Sequence, residues 1–158
     1  RPTTRTQVMY GPPGAAYVYF IYGMHYCLNV VTAPPGCPEA VLIRALEPVW
    51  NLDLMSRRRF HISGKDLSLA RLRQLANGPG KLTQALAISR EQYGWLLYAS
   101  PLRIYSETAN GPAALITIAA GPRIGVDYAQ EAKDYPWRFG IAGNAFLSKP
   151  IRQKSEFD

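Results

Sequence analysis

The pattern of hydrophobic and polar positions predicts short strands and helices separated by Gly, Pro and polar clusters. Residues 15–21 and 27–32 are mostly β-branched, aromatic or small, which predicts two buried strands. The segment between them is long enough only for a hairpin connection, and Gly23 within it is free to adopt positive φ. The hairpin is followed by predicted strands at 40–45, 103–107, 114–119 and 137–143, helices at 49–58 and 82–88, a short helix or turn at 127–133, and a helix capped by Asp66 or Ser68 that buries Leu69, Leu72, Leu75 and Ala76. Strands with short helices between them predict one mixed α/β domain.

The tip of the predicted hairpin carries an aromatic residue, Tyr22, where no core is available to receive it. An exposed aromatic residue beside Met24 suggests a wedge that parts stacked bases from the minor groove. Tyr17 and Tyr19 share one face of the preceding strand and could stack on a displaced base. The same residues also fit a core strand whose end is covered by another element, since aromatic residues in strands usually pack inside.

The charge balance favours a polyanionic partner. Eighteen Lys and Arg against eleven Asp and Glu give a net charge of +7 over 158 residues. A hydrophobic content of 47% excludes intrinsic disorder, and no apolar run is long enough to span a bilayer. A chain of this length suits one domain with a sizeable core.

Cysteine usage indicates an intracellular protein. Cys27 and Cys37 are the only cysteines and have no paired Cys or His neighbours, so they form neither a zinc site nor a disulfide framework. We therefore expect a reducing compartment, either the bacterial cytoplasm and nucleoid or a eukaryotic nucleus. We expect no metal and no other cofactor.

Two basic residues occupy positions that could serve a site. Arg44 is the one charge in the apolar run 40–45, so it needs a partner or a cleft to face. A structural pair with Glu47 explains it equally well. Lys81 follows Gly78 and Gly80 at a predicted helix start, where free N–H groups attract anions, although a plain helix cap has the same pattern.

Six segments, taken together and in order, resemble the alkyladenine (3-methyladenine) DNA glycosylases. The hairpin Tyr-Val-Tyr-Phe-Ile-Tyr-Gly-Met with Cys-Leu-Asn, at residues 17–24 and 27–29, is one of them. The others are Arg-Pro-Thr-Thr-Arg at 1–5, Val-Leu-Ile-Arg-Ala-Leu-Glu-Pro at 41–48, Asn-Gly-Pro-Gly-Lys-Leu-Thr-Gln-Ala-Leu at 77–86, Gly-Pro-Arg-Ile-Gly-Val-Asp at 121–127 and Asp-Tyr-Pro-Trp-Arg-Phe at 134–139.

The resemblance implies a largely antiparallel curved sheet flanked by short helices, with a protruding β-hairpin, as in the C-terminal domain of formyltransferases. It implies a monofunctional DNA glycosylase of base excision repair. Such an enzyme acts as a monomer on double-stranded DNA, flips out an alkylated or deaminated purine and hydrolyses its N-glycosidic bond. It needs no membrane. The implied substrates are 3-methyladenine, 7-methylguanine, hypoxanthine and ethenoadenine.

The resemblance also implies a role for individual residues. Arg44 and the Ile124 carbonyl hold the attacking water; Tyr19, Cys27, Asn29 and Leu42 form the base pocket; Tyr22 and Met24 intercalate; and Arg1, Thr3 and Lys81 contact the DNA backbone.

One family element has no counterpart in the sequence. The catalytic Glu of the family lies in a Val-Glu-Thr-Glu-Ala-Tyr motif upstream of the segment that matches residues 1–5, and that motif is missing from the 158 residues. We therefore expect a single glycosylase domain, 1–158, that is N-terminally incomplete and belongs to a longer protein. An alternative function is a non-catalytic nucleic-acid-binding module that uses the same aromatic hairpin and basic surface.

Overall fold

The computed structural model describes residues 1–106 and 116–151, and the chain divides into two compact units. The first unit comprises residues 1–106, and the described part of the second comprises residues 116–151. The first unit contains, in chain order, a 3-10 helix Gln7–Tyr10, strands β1 (Ala16–Ile21), β2 (His25–Val31) and β3 (Ala40–Leu42), helix α1 (Leu52–Phe60), a 3-10 helix Gly64–Asp66, helices α2 (Leu69–Arg73) and α3 (Pro79–Leu86), and a 3-10 helix Arg90–Gln92. The second contains β4 (Ile118–Gly121), a 3-10 helix Asp127–Lys133 and β5 (Arg138–Ile141).

The first unit is built on an antiparallel sheet with the strand order β1-β2-β3. Because side chains alternate along a strand, Ala16 and Val18 of β1 share one face with Leu28 of β2. These three side chains are buried in a core that also contains Leu82 and Ala85 of α3. The opposite face carries the odd-numbered residues of β1 and β2 and is only partly covered.

Helix α3 is attached to the sheet beside the hairpin. The buried Thr83 hydroxyl can donate a hydrogen bond to the carbonyl of Tyr26 in β2, at 3.0 Å, or to carbonyls of its own helix. Gly80 lies so close to His25 that a Cβ there would be 2.8 Å from the imidazole Cγ. The first turn of α3 therefore supports the second strand of the hairpin where it leaves the turn.

Two arginines at the end of α1 join that helix to α3 instead of projecting freely. Arg58 donates to the Ala85 carbonyl at 3.1 Å, and Arg59 donates to Oε1 of Gln84 at 2.6 Å. Gln84 in turn donates to the Arg58 carbonyl at 3.0 Å. Much of the basic charge in this segment therefore stabilises helix packing.

The second unit contains a two-stranded antiparallel sheet, β4 with β5. A loop of residues 122–126 follows β4, and Gly125 within it has a φ of +73°. The 3-10 helix that follows is interrupted at Gln130, whose φ is +52°. None of the helices in the described parts of either unit has the length and hydrophobicity needed to cross a membrane.

The mixed α/β class, the antiparallel pairing and the hairpin are confirmed, whereas several predicted bounds are wrong. Strand β3 ends at Leu42 instead of residue 45, because the chain turns away and the Leu46 N–H bonds the Ala76 carbonyl at 3.0 Å. Residues 103–106 form no strand; the Ile104 N–H bonds the Leu97 carbonyl at 2.8 Å, seven residues earlier in the chain, in place of a strand partner. Leu69 is exposed because it starts the short helix α2. Residues 107–115, which include the end of one predicted strand and the start of the next, lie outside the described residues. The single domain stays a prediction.

The hairpin turn has an unusual backbone. Tyr22 and Gly23 both have positive φ, at +54° and +66°, and the Met24 N–H bonds the Ile21 carbonyl at 3.2 Å. Two positive φ values are what a type I′ turn requires, and Asn or Gly normally provides the first. A bulky residue in this region is strained. The turn therefore holds Tyr22 at an energetic cost with its side chain 82% exposed.

We predict that Tyr22→Asn stabilises the protein. The left-handed conformation costs an ordinary L-residue about 1–2 kcal/mol, and Asn tolerates it better, so the free energy of unfolding should rise by about 0.5–1 kcal/mol. Urea unfolding measures this change. Tyr105→Asn is the matched control, because Tyr105 is another exposed tyrosine but has no positive φ. A loss of stability confined to Tyr22→Asn would show that the tyrosine is held by contacts rather than strained.

Candidate functional site

The partly covered face of the first sheet gathers the four residues predicted for the base pocket together with Arg44. Register pairs Tyr17 with Asn29 and Asn29 with Leu42, which makes one cross-strand row. Tyr19 pairs with Cys27 in the adjacent row. We call this surface the site face and define it by Tyr17, Tyr19, Cys27, Asn29, Leu42 and Arg44.

Arg44 extends the second row although it lies beyond the end of β3. The Ile43 N–H bonds the Leu28 carbonyl at 3.0 Å, so the β2–β3 pairing continues one residue past the strand. Burial raises the pKa of the Cys27 thiol, and the nearby charge of Arg44 partly opposes that rise. Arg44 is half-buried. The structure therefore places its guanidinium on the site face.

Burial keeps the centre of the site face uncharged. It raises the pKa of the Tyr19 phenol to about 12, with the neighbouring Cys27 thiol adding to the rise. Burial also raises the pKa of the Cys27 thiol, and this effect exceeds the opposing influences of Tyr19 and Arg44. At neutral pH both groups remain protonated. Tyr19 therefore offers a neutral aromatic surface, and Cys27 acts as a small apolar residue rather than a nucleophile.

Asn29 is held in one orientation. Its side-chain amide nitrogen donates to the Tyr17 carbonyl at 3.0 Å, and the residue is only 7% exposed. The amide oxygen, which makes no contribution to that bond, remains available to a group at the face. A buried amide fixed in this way is suited to testing the shape and hydrogen-bonding groups of a ligand.

The aromatic side chains of β1 form a compact group. The rings of Tyr17 and Tyr19 lie 5.2 Å apart with a tilt of 37°. The guanidinium carbon of Arg5 lies 5.0 Å from the centroid of the Tyr19 ring. Tyr17 is almost completely buried whereas Tyr19 is half-buried. Tyr19 is therefore the member of the pair that a ligand can reach.

The hairpin projects two side chains into solvent at one end of the site face. Tyr22 is 82% exposed and Met24 is 67% exposed. On the other face of the hairpin, the rings of Phe20 and Tyr26 lie 4.9 Å apart and stiffen the strands below the turn. The sequence-based placement of Tyr22 and Met24 at the tip is confirmed.

The turn end of the hairpin borders a cavity of about 310 Å³ beside α3, lined by Met24, His25, Tyr26, Gly80, Thr83, Gln84 and Ile88. Lys81 belongs to the first turn of the same helix, but its ammonium donates to Oδ1 of Asn77 at 2.8 Å. An ammonium has three donors, so this bond leaves two for another acceptor. The lining of this cavity includes none of the six residues of the site face.

The N-terminal segment is ordered by a threonine turn and one tyrosine. The hydroxyls of Thr3 and Thr6 lie 2.9 Å apart, and the Thr3 N–H bonds the Thr6 hydroxyl at 3.0 Å. The Tyr93 hydroxyl can donate to the carbonyl of Thr4 or of Arg5, and it accepts from the Val8 N–H at 3.1 Å. Arg1 is exposed at the start of this segment.

Ile124 lies in the second unit. It is half-buried in the loop of residues 122–126, between β4 and the 3-10 helix, as the pattern of glycines predicted. Its neighbour Arg123 donates to the Ala132 carbonyl at 3.1 Å and places its guanidinium carbon 5.2 Å from the ring centroid of Trp137. These contacts hold the loop within its own unit.

The structure brings together five of the predicted site residues, Tyr19, Cys27, Asn29, Leu42 and Arg44. Tyr17, predicted from the sequence to share this face with Tyr19, also orients Asn29 through its carbonyl. One contributor was missed, namely Arg5, which lies over Tyr19. Alternation along the strand placed Tyr17 beside Tyr19, but no sequence pattern signals the bend that returns Arg5 to the sheet. Among the described residues no cluster of His, Cys, Asp and Glu could hold a metal ion.

Comparison with known proteins identifies the family. The profile of the methylpurine-DNA glycosylases matches residues 1–145. A Bacillus cereus protein named as a candidate 3-methyladenine DNA glycosylase is 48% identical over 150 residues, which cover 94% of this chain and 72% of that protein. A Clostridium acetobutylicum protein of the same name is 49% identical over 148 residues, which cover 94% and 70%. The chain belongs to the methylpurine-DNA glycosylase family.

Proposed function

We propose that the site face is the base pocket of a monofunctional DNA glycosylase that excises alkylated or deaminated purines from double-stranded DNA. Family membership makes the protein a DNA glycosylase, a hydrolase of base excision repair. The observation that supports the pocket is the cross-strand arrangement of Tyr19, Cys27, Asn29, Leu42 and Arg44 beside an exposed aromatic hairpin tip. The proposed substrates are 3-methyladenine, 7-methylguanine, hypoxanthine and ethenoadenine.

Tyr22 is proposed to fill the gap that the flipped nucleotide leaves in the duplex. Its ring is almost fully exposed on a turn that is supported from below by α3, so it can enter the base stack without rearrangement of the hairpin. Met24 lies two residues further along the turn and covers the adjacent base step. Insertion of such side chains between base steps costs unstacking energy that contacts with the bent DNA offset.

Tyr19 is proposed to stack on the displaced purine. Its raised pKa keeps the phenol neutral, so the ring offers an apolar face without the charge of a phenolate. Leu42 and Cys27 provide apolar contact on the same surface. Weakly paired damaged bases leave the duplex more easily, and a stacking surface then retains them.

Asn29 is proposed to select among purines. Because its amide nitrogen is engaged by the Tyr17 carbonyl, the side chain cannot swing away from a base that enters the site face. A guanine-type base has an exocyclic 2-amino group that hypoxanthine lacks, and the fixed amide would crowd it. Rejection by an immobile buried group costs more than rejection by a flexible one.

Arg44 and the Ile124 carbonyl are proposed to position the attacking water. A guanidinium donates hydrogen bonds but stays protonated at working pH, and a carbonyl only accepts them, so neither can remove the proton of water. That step needs a carboxylate, which also stabilises the oxocarbenium-like sugar. The six residues of the site face include no carboxylate, and the 158-residue sequence lacks the Val-Glu-Thr-Glu-Ala-Tyr motif.

The DNA backbone is proposed to contact Arg1, Thr3 and Lys81. Arg1 is exposed, and Lys81 retains two donors after its bond to Asn77. The net charge of +7 favours this polyanionic partner.

We further propose that the protein acts as an intracellular monomer. We also propose that its antiparallel sheet and protruding hairpin belong to a single domain with the fold of the formyltransferase C-terminal domain.

A second function, damage binding without hydrolysis, is favoured for the 158-residue chain by the same lack of a carboxylate on the site face. A duplex with one hypoxanthine separates the two functions. The enzyme leaves an abasic site that alkali cleaves, whereas the binding module only shifts the mobility of the duplex.

We predict that Tyr22→Ala weakens binding to a duplex that holds an abasic-site analogue. Loss of one stacked aromatic should cost more than ~1 kcal/mol, a fivefold rise in Kd or more. Fluorescence anisotropy measures the Kd, and Tyr105→Ala is the control because Tyr105 is also an exposed tyrosine of the first unit. Equal affinity of Tyr22→Ala and wild type would remove Tyr22 from the site.

We predict that Asn29→Ser raises excision of guanine-type lesions relative to hypoxanthine. The smaller side chain removes the proposed clash with the 2-amino group. The measurement is the ratio of single-turnover rates on the two lesions in a protein that contains the catalytic Glu segment. Hypoxanthine is the internal control, because damage to the fold would slow excision of both lesions. An unchanged ratio would show that a residue other than Asn29 determines selectivity.

We predict that the 158-residue chain releases no base even from a duplex that it binds. Joining a segment that carries the family's Val-Glu-Thr-Glu-Ala-Tyr motif to the chain should give base release, and Arg44→Ala in that longer protein should slow excision while leaving affinity unchanged. Alkaline cleavage of end-labelled duplex measures release. Efficient excision by the isolated chain would show that one of its own carboxylates activates the water.

A further inference from the structure

Arg5 occupies a position from which its charge reaches any base stacked on Tyr19. The guanidinium carbon lies 5.0 Å from the Tyr19 ring centroid, and hydrogen bonding with the Tyr17 side chain raises the pKa of Arg5. Arg5 therefore contacts both tyrosines of the site face while most of its own side chain remains exposed. None of the roles proposed above uses this residue.

The backbone of Arg5 is restrained, so the arrangement does not depend on the side chain alone. The Tyr93 hydroxyl can donate to the Arg5 carbonyl at 3.2 Å and accepts from the Val8 N–H three residues later. Thr3 and Thr6 close the turn on either side of Arg5 through backbone and hydroxyl bonds. The backbone from which the Arg5 side chain reaches the Tyr19 ring is therefore held in place.

We propose that the positive charge of Arg5 makes the site face favour neutral damaged purines over cationic ones. The charge acts on a base stacked on Tyr19 both by weakening the attraction of the ring for cations and by direct repulsion. The inference rests on the proposed function, in which Tyr19 stacks on the flipped base. Damaged purines fall into these two classes, because methylation at N7 of guanine or N3 of adenine leaves a formal positive charge, whereas hypoxanthine and ethenoadenine are neutral.

Two physical effects act in the same direction. The electron-rich ring of Tyr19 already attracts the Arg5 guanidinium. The ring therefore attracts a second cation less strongly. A cationic base stacked at van der Waals distance beyond the ring would also lie roughly 8 Å from the guanidinium, where direct repulsion persists in a partly solvated site. Because Arg5 is exposed, we expect a selectivity of only about threefold, increasing as salt is lowered.

Arg44 also contributes positive charge to the site face, but from the other end of the row that Tyr19 begins, beyond Cys27. Its effect is common to every Arg5 variant and cancels in their comparison. A phosphate contact by Arg5 is the competing explanation for an exposed arginine in this segment. It predicts equal losses of affinity for neutral and cationic lesions.

The test uses two duplexes that differ only in the charge of one base. One holds 7-methylguanine, which is cationic, and the other holds 7-deaza-7-methylguanine, its neutral isostere. Both are on 2′-fluoro sugars that resist hydrolysis. Both bases carry the 2-amino group, so any effect of Asn29 is the same for each. The selectivity is the Kd for the cationic base divided by the Kd for the neutral one, measured by anisotropy on the 158-residue chain, with an undamaged duplex as reference.

We expect Arg5→Met and Arg5→Gln to lower this selectivity by about threefold, and Arg5→Lys, which keeps the charge, to preserve it. Arg90→Met, which removes an exposed arginine from the first unit, should leave it unchanged. Gln retains a hydrogen-bonding group toward Tyr17, so agreement between Gln and Met excludes a purely structural effect. Unchanged selectivity in both variants, with or without a parallel loss of affinity, would overturn the inference. Failure of the wild type to prefer either lesion over undamaged DNA would instead contradict the proposed function.

Discussion

The antiparallel register of β1 and β2 is the constraint on which the site depends. It places Tyr17 opposite Asn29 and Tyr19 opposite Cys27, and β3 then adds Leu42 to the first row. A slip of one residue would turn every one of these side chains to the other face. The buried partners Ala16, Val18 and Leu28 oppose such a slip, because they would leave the core of the first unit. Packing in the core therefore fixes the register, and the register decides which side chains lie on the site face.

The hairpin extends this register into a strained turn. Pairing continues to Ile21 and His25, so the turn must close within three residues, and Tyr22 adopts a positive φ that its side chain disfavours. Helix α3 supports the returning strand through Thr83 and through the close approach of Gly80 to His25. The Tyr22 ring lies in solvent, so it makes no contact in the core that would offset this strain.

Much of this arrangement could be predicted from the sequence, because it follows from local patterns. Alternation gave Tyr17 and Tyr19 a common face, and the short connection with Gly23 indicated the hairpin and an exposed Tyr22. The lone charge in an apolar run marked Arg44. These signals depend only on neighbours along the chain.

What could not be predicted depends on contacts between distant segments. The end of β3 is set by the bond from Leu46 to Ala76, thirty residues later, and no local pattern encodes it. The same holds for Arg5, whose backbone is bonded by the distant Tyr93 hydroxyl, and for Arg58 and Arg59, which join α1 to α3.

The central claim, that the site face receives a flipped purine, is tested most directly by a crystal structure of the chain bound to a duplex with one ethenoadenine. The account predicts that this base lies outside the helix, stacked on Tyr19 and bordered by Asn29 and Leu42, with the Tyr22 ring in the vacated gap. A complex in which the lesion remains stacked within the duplex, or in which the DNA contacts a surface away from the hairpin, would contradict it.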